Sequence, residues 1–412
     1  MFSLFTSIGP EIPLSLLLMG LLGLRAKVWP KASVFITTTP EKLFGLMDVV
    51  DGKTEDWGRT TTHTEMLDDG GHIFRKTYST TLTTGVAKTS SALFSIRTRQ
   101  APHFLVVQRE GLEGKSLNNE LLSQRYDMAP ERDGTRLTMT YEWGPRPLLA
   151  QLLARADLWG GAYRLKALAE RGVADDLPFQ VISAGVAVLT GALSLVAFSF
   201  LLGWIVAALL IVALFIHEFG HLLAYRMMGQ PWGRMLFLPF LGAIALPRLP
   251  FDSQGQSVFA ALMGPGFSFL LAAVCTLHTI NSALTGTNPN GYVVALGFVV
   301  TALNLFNLLP AEPLDGGVAL RSVLGKIMGK HARYGLMTVG LIIAAVGVFY
   351  SQMILLIFAG MAILFNFRER KIDPGLSSLS SLQVSISLVC YVSLATAYIT
   401  MFMFYWEPQL AA

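Results

Sequence analysis

The sequence predicts two objects in one chain: a water-facing α+β domain, then a polytopic α-helical membrane body of about six to eight spanning helices. Three observations carry this. The 412 residues are 53% hydrophobic and only 14% charged, with mean hydropathy +0.53, which excludes disordered and collagen-like chains and sets this one apart from ordinary soluble proteins. The charges are unevenly placed: 21 basic and 19 acidic residues lie between Arg25 and Asp176, against 10 basic and 7 acidic from Leu177 to Ala412. From Phe179 onward, apolar runs approach the roughly 20 residues needed to cross about 30 Å of hydrocarbon. The expected domains are 1–27, a membrane anchor; 28–178, the water-facing domain; and 179–412, the membrane body.

The first segment, Phe2 to Leu24, is apolar but interrupted by Pro10, Glu11 and Pro13, and it lacks the basic start of a signal peptide. It reads as a first span or an interfacial anchor. After it, Ser33 to Thr37 reads as a strand. Thr39-Pro40-Glu41 then opens a helix with cap, proline and early acid in order. Asp69-Gly70-Gly71 marks a turn before a strand from Ile73 to Thr80, and His103 to Arg109 is another strand. Asp133-Gly134 is a hairpin signal. From Thr135 to Trp143, Leu137, Met139, Tyr141 and Trp143 alternate with Arg136, Thr138, Thr140 and Glu142. Arg146 to Arg171 returns to helical spacing through Leu149, Leu152, Leu153, Leu165 and Leu168, with Gly160-Gly161 as a candidate kink. Strand, helix, antiparallel strands and a long final helix resemble the START/polyketide-cyclase-like (SRPBCC) helix-grip fold over 28–172. That resemblance implies a curved sheet wrapped on the last helix around a pocket for a hydrophobic ligand.

Apolar segments follow at 181–202, 204–225, 259–280, 292–309, 334–350, 353–367 and 384–406, the pair 334–350 and 353–367 reading as tilted hairpin helices or a re-entrant pair. With 25–178 in the cytoplasm, Arg226, Arg234, Arg248, Arg321, Lys326, Lys330, Arg333, Arg368, Arg370 and Lys371 all fall on inside connections. The outside connections, Gly203, 281–291 and Ser351-Gln352, hold no Lys or Arg, as the positive-inside rule expects. The net charge of +4 therefore reads as membrane topology, and no nucleic-acid partner is expected. Cys275 and Cys390, isolated in apolar segments, give no disulfide framework.

The chemistry is in Phe215-Ile216-His217-Glu218-Phe219-Gly220-His221. Two His four apart share one helix face and can reach one metal ion, and Glu218 can reach a water on it as general base. Ionisable groups at membrane depth are costly, roughly 2.5–3.5 kcal/mol each on insertion scales, so three together want a joint reason. A buried His pair with Glu218 as counter-ion is the plainer alternative. A catalytic zinc usually has three protein ligands and a water. Asp315, in Asn307-Leu-Leu-Pro-Ala-Glu-Pro-Leu-Asp315-Gly-Gly, is the favoured third ligand and Glu312 its nearest competitor; Asp252 lies in a polar loop. The prolines stop a helix there, and the glycines suggest a sharp turn beside the carboxylate.

His-Glu-Phe-Gly-His with Asn-Leu-Leu-Pro-x-x-Pro-Leu-Asp-Gly-Gly resembles the site-2 protease family of intramembrane zinc metalloproteases, over about 179–375. The resemblance implies Zn2+ on His217, His221 and Asp315, Glu218 as catalytic acid/base, and Asn307 supporting substrate or transition state. Met263-Gly264-Pro265-Gly266 matches the family's Gly-Pro helix, with Ser268 where an asparagine is common. The segment 237–249 matches a membrane-associated segment that helps present an extended substrate, and the short connection around it has no PDZ-like insertion. The implied substrate is a membrane-spanning protein, such as a membrane-bound transcriptional regulator, cleaved in the lipid bilayer of a bacterial inner (plasma) membrane, with 28–178 as a cytoplasmic ligand sensor or substrate filter. The competing expectation is a non-proteolytic lipid-binding or sensing protein with a structural metal; a metal-dependent hydrolase of lipid amides or esters is a third.

Overall fold

The computed structural model describes residues 24–406 apart from 58–59, 69, 84, 86, 113–120, 350–355, 357–358, 361, 365 and 367–375. The segment 1–23, most of 353–367, and Glu369, Asp373 and Glu407 lie outside the described residues. The chain divides into two compact units, Met1–Leu189 and Thr190–Ala412.

Among the described residues, the first unit holds a nine-stranded antiparallel sheet, two helices and the start of a third that continues into the second unit. Its elements are β1 (Arg25–Val28), β2 (Lys31–Ile36), α1 (Pro40–Met47), β3 (Thr54–Asp56), β4 (Thr60–Met66), β5 (Ile73–Thr81), β6 (Ala87–Gln100), β7 (Phe104–Leu112), β8 (Leu121–Glu131), β9 (Gly134–Pro147) and α2 (Leu148–Arg171). The order is β1-β9-β8-β7-β6-β5-β4-β3, with β2 also paired to β9. The sheet therefore starts at Arg25, before the first strand the sequence suggested. Thr39 caps α1 by accepting from the Lys42 N–H at 3.4 Å. At the other end, Lys53 Nζ donates to the carbonyls of Gly45, Leu46 and Asp48 at 3.0, 2.9 and 2.9 Å, satisfying carbonyls the helix leaves open.

Two local expectations shift. The β8–β9 turn sits on Arg132-Asp133, one residue early, because Glu131 already pairs with Gly134 and Arg132 takes φ 50°. Gly134 is a strand residue whose missing Cβ makes room for the Ile36 carbonyl and the Phe35 ring. Likewise α2 runs unbroken through Gly160-Gly161. Gly160 is small because a Cβ there would stand 2.5 Å from the Phe179 ring. The buried stripe of α2 is Leu158, Ala162, Leu165 and Ala169, packed on Leu105, Met128, Leu137 and Met139 of the sheet's inner face. The predicted alternation of β9 is realised, with Leu137 and Met139 buried. Leu152, Leu153 and Leu168, read from the sequence as part of the apolar stripe, are only half-buried.

The membrane body comprises α3 (Leu177–Leu202), α4 (Trp204–Met227), a hairpin of β10 (Arg234–Leu238) and β11 (Gly242–Leu246), α5 (Gln254–Leu284), α6 (Gly291–Asn307), α7 (Asp315–Met328), α8 (Ala332–Phe349) and α9 (Ser381–Trp406). Among the described residues, α3, α4, α5, α8 and α9 are long and apolar enough to cross a membrane, and α6 is a shorter apolar helix. Leu189, Leu193 and Val196 of α3 and Ile386, Val389 and Val392 of α9 are exposed, as lipid-facing surface would be. The helix α7 was not expected; its charged residues had placed it in a connection. The α5–α6–α9 core gathers Ala272, Val300, Leu308 and Tyr398. Tyr398 and Tyr391 donate to the carbonyls of Pro265 and Leu308 at 2.7 Å each, so these phenols are satisfied in an apolar interior.

Candidate metal centre

Helix α4 carries His217, Glu218 and His221, with 2%, 5% and 7% exposure. The helix forms because a long apolar run satisfies every backbone group internally. It buries this polar face because α5 comes very close: a Cβ on Gly220 would stand 3.0 Å from Gly264 Cα, and one on Gly264 would overlap the His221 ring.

The orientation of both imidazoles is fixed by their surroundings. Asn304 donates Nδ2 to the Val300 carbonyl at 2.8 Å, which turns its Oδ1 to accept from His217 Nδ1 at 2.8 Å. The Ala260 carbonyl accepts from His221 Nδ1 at 2.8 Å. Nδ1 is therefore the donor on both rings, and Nε2 is the atom each ring, when neutral, can offer to a metal ion. The two Nε2 atoms are 3.2 Å apart and lie 3.0 and 3.4 Å from Asp315 Oδ2. Asp315 Oδ2 is buried and takes no hydrogen bond. With both rings neutral, two nitrogen lone pairs and a carboxylate oxygen converge on one point, an arrangement that a bound cation stabilises. Tetrahedral ligands at about 2.0–2.1 Å from zinc stand about 3.3 Å apart, so the donor set and its spacing fit such an ion.

Asp315 opens α7, just after a loop that Asn366 clasps by donating to the Pro310 carbonyl at 2.6 Å and accepting from the Glu312 N–H at 3.4 Å. Gly316 and Gly317 are helical, not turn residues as expected. A Cβ on either would overlap the backbone of Leu308 or Ala311, so their smallness lets α7 start against that loop. The competitor Glu312 is occupied elsewhere, accepting from Arg321 Nη1 at 2.6 Å. Asp252 bonds Gln256 at the start of α5. The ligand atoms of His217, Glu218 and His221 lie within 4.8 Å of one another. Asp315 Oδ2 lies within 3.4 Å of both Nε2 atoms, and Glu218 lines the adjoining cavity.

That cavity has a volume of about 490 Å³ and is bounded by His217, Glu218, His221, Asp315, Asn307 and the β10–β11 hairpin. Glu218 accepts a hydrogen bond from the Ala245 backbone N–H. The segment 237–249 is therefore largely a hairpin, not a plain loop. Asn307 lies on the cavity wall, half-buried, one turn beyond Asn304. Ser268 is fully buried on α5, and its Oγ has no hydrogen-bond partner. Sequence reasoning missed Asn304, Ala260 and Asn366. The two asparagines carried a signal, as amides inside apolar helices, but a backbone carbonyl carries none.

Residues 276–347 match peptidase family M50, a span that holds Asn307 and Asp315. The chain is 34% identical over 125 residues to the zinc metalloprotease MJ0392 of Methanocaldococcus jannaschii, covering 29% of this chain and 34% of that protein. It is 31% identical over 132 residues to the putative zinc metalloprotease sll0528 of Synechocystis, covering 32% and 34%. These matches span about a third of each relative's length. A solved structure of a site-2 protease from Methanocaldococcus jannaschii aligns at 22% identity and TM-score 0.31, covering 45% of this chain and 89% of that one.

Proposed function

We propose, from the peptidase M50 (site-2 protease) domain that the chain carries, that it is an intramembrane zinc endopeptidase cleaving a membrane-spanning protein. The observation that carries this is the convergence of the Nε2 atoms of His217 and His221 on Asp315 Oδ2 beside an open cavity. His217, His221 and Asp315 would hold the ion, which when bound supplies Lewis-acid polarisation of a peptide carbonyl and lowers the pKa of the attacking water. Glu218 takes that water's proton and delivers it to the leaving amine. Ala245 N–H orients the Glu218 carboxylate. Asn307, on the wall, supports the substrate carbonyl.

The hairpin presents the substrate. Phe237 N–H points away from β11, to Thr190 Oγ1 at 3.2 Å, and Ala245 faces α4, where its carbonyl accepts from the Tyr225 hydroxyl at 3.2 Å. Antiparallel alternation then turns Ala243 N–H and C=O outward at the cavity, an edge on which an unwound segment can pair. Structural zinc sites are normally closed by four protein ligands. Three ligands and an open side speak against the non-proteolytic reading.

The shorter α6 is a sixth span, and the basic connections support a multi-pass orientation in a bacterial inner membrane with 28–178 cytoplasmic. The sheet with α2 on its inner face supports the helix-grip reading of that domain. A membrane-bound transcriptional regulator fits as substrate. The test is zinc per chain, with cleavage of a transmembrane peptide by wild type and Glu218→Gln. The variant should keep the metal and lose cleavage; unchanged cleavage would refute the proposal.

A further inference from the structure

The outward edge of β11 is short, and one side chain of α4 decides where it stops. Pairing sets Phe237 opposite Ala243 and Met235 opposite Ala245, so the outward backbone groups of β11 belong to Ala243 and Ala245. Ala243 presents its N–H and C=O at the cavity wall. Both groups of Ala245 are taken by α4: its N–H donates to Glu218, and its C=O accepts from the Tyr225 hydroxyl at 3.2 Å. Two residues of strand span about 7 Å, so the usable edge ends one pair before the residue that touches Glu218.

Tyr225 is held in place for this contact. It lies two helical turns beyond Glu218 and so shares its face of α4. Side chains on a helix lean back toward its N-terminus, which brings the phenol level with Ala245. The ring is fixed on two sides. Phe251 packs on it at 6.0 Å between centroids, and a Cβ on Gly233 would stand 2.9 Å from it. Tyr225 is buried in the bundle, yet it lines the metal cavity. A phenylalanine would fill the same space; only the hydroxyl can occupy the Ala245 carbonyl.

On the premise of the protease function proposed above, we infer that Tyr225 is a positioning residue that caps the substrate-binding edge. A segment paired with Ala243 finds no acceptor at Ala245. It therefore leaves β11 there and passes beside Glu218 and the metal ligands, instead of continuing along the strand. Without the hydroxyl, the Ala245 carbonyl accepts from a substrate N–H. The segment then gains a hydrogen bond and loses its path to Glu218, so tighter binding goes with slower reaction. A hydroxyl that merely held the hairpin to α4 would act with the opposite sign on binding, since its loss would loosen the edge.

The experiment uses the full-length chain in proteoliposomes with a lysine-flanked Leu-Ala transmembrane peptide that carries a central Asn-Gly pair. Cleavage gives kcat and KM. Förster transfer between labelled peptide and labelled protein gives affinity in a Glu218→Gln background, a change that keeps an acceptor for the Ala245 N–H. Tyr225→Phe should lower kcat roughly tenfold, because the scissile bond is displaced from Glu218. In the Glu218→Gln background it should bind the peptide as tightly as its parent or up to about tenfold tighter, the worth of one hydrogen bond. Its zinc per chain should equal that of wild type. A Tyr225→Phe protein with wild-type kcat, or with weaker peptide binding than its parent, overturns the inference and leaves the protease function standing. Failure of wild type to cleave counts instead against the protease function, and the inference falls with it.

Discussion

Substituting Gly264 by Ala should disable the metal centre without touching a ligand. A methyl on Gly264 would overlap His221 Nε2, stand 2.5 Å from His221 Cε1 and 3.0 Å from His217 Cε1. Carbon atoms in contact sit about 3.5–4.0 Å apart, so the His221 ring must retreat by roughly 1 Å. It has no free direction, because its Nδ1 is bound to the Ala260 carbonyl one turn earlier on the same helix. Metal–ligand distances tolerate only about 0.2 Å, so the ring leaves its ligating position. Zinc affinity should fall at least about tenfold, or about 1.4 kcal/mol, and overpacking should remove a further ~1–3 kcal/mol of stability. Gly266→Ala is the control on the same helix, since a Cβ there meets nothing within 4 Å. Chelator competition against both purified proteins reads the affinity. If Gly264→Ala holds zinc as tightly as Gly266→Ala, the assignment of the two imidazoles as ligands is wrong.

Asn304→Leu removes the acceptor for His217 Nδ1 and should weaken zinc about 10–100-fold, whereas Asn304→Asp keeps an acceptor and should retain most of the affinity; cobalt substitution and its visible spectrum report both. In the N-terminal unit, burial pushes the Glu55 carboxyl up, but Lys76 and Lys53 pull it down further, so its folded pKa lies below the usual carboxylate value. A depressed folded pKa gives stability that is full above the unfolded pKa and lost as pH falls through the folded one. Protection factors for amide exchange in β3–β5 of the full chain, corrected for the intrinsic rate and followed from about pH 6 to pH 3, should fall on the acid side in wild type and change less in Glu55→Gln.

The sequence was most informative where a single physical rule dominates. Charge scarcity marked the membrane body, and each apolar run that lies wholly within the described residues is a helix. That His217, His221 and Asp315 come together, with Nε2–Oδ2 distances of 3.0 and 3.4 Å, was legible because charge in an apolar segment needs a reason. Packing was illegible. Gly160, Gly316 and Gly317 looked like hinges and turns, but each is a point of close approach inside a regular helix. The helix α7 was hidden because Arg321 and Lys326 read as a loop, though Arg321 pairs with Glu312 and leaves an apolar face of Ala319, Leu320 and Val323 buried. The imidazole tautomers depend on Asn304 and on a bare carbonyl of Ala260, contacts that no local pattern encodes.

The meeting of His221 and Asp315 has a mechanical side. The two residues belong to helices α4 and α7, with α5 and α6 between them in sequence. An ion shared between them closes that long loop as a crosslink would, restricting the unfolded chain more than the folded one. Stripping the metal should therefore do more than silence chemistry: it removes a crosslink between α7 and α4 and leaves the weaker His–Asp315 contacts to hold them. Chelation should lower the resistance of the membrane body to unfolding in step with metal loss, in which case the ion would brace the bundle as well as serve the proposed reaction.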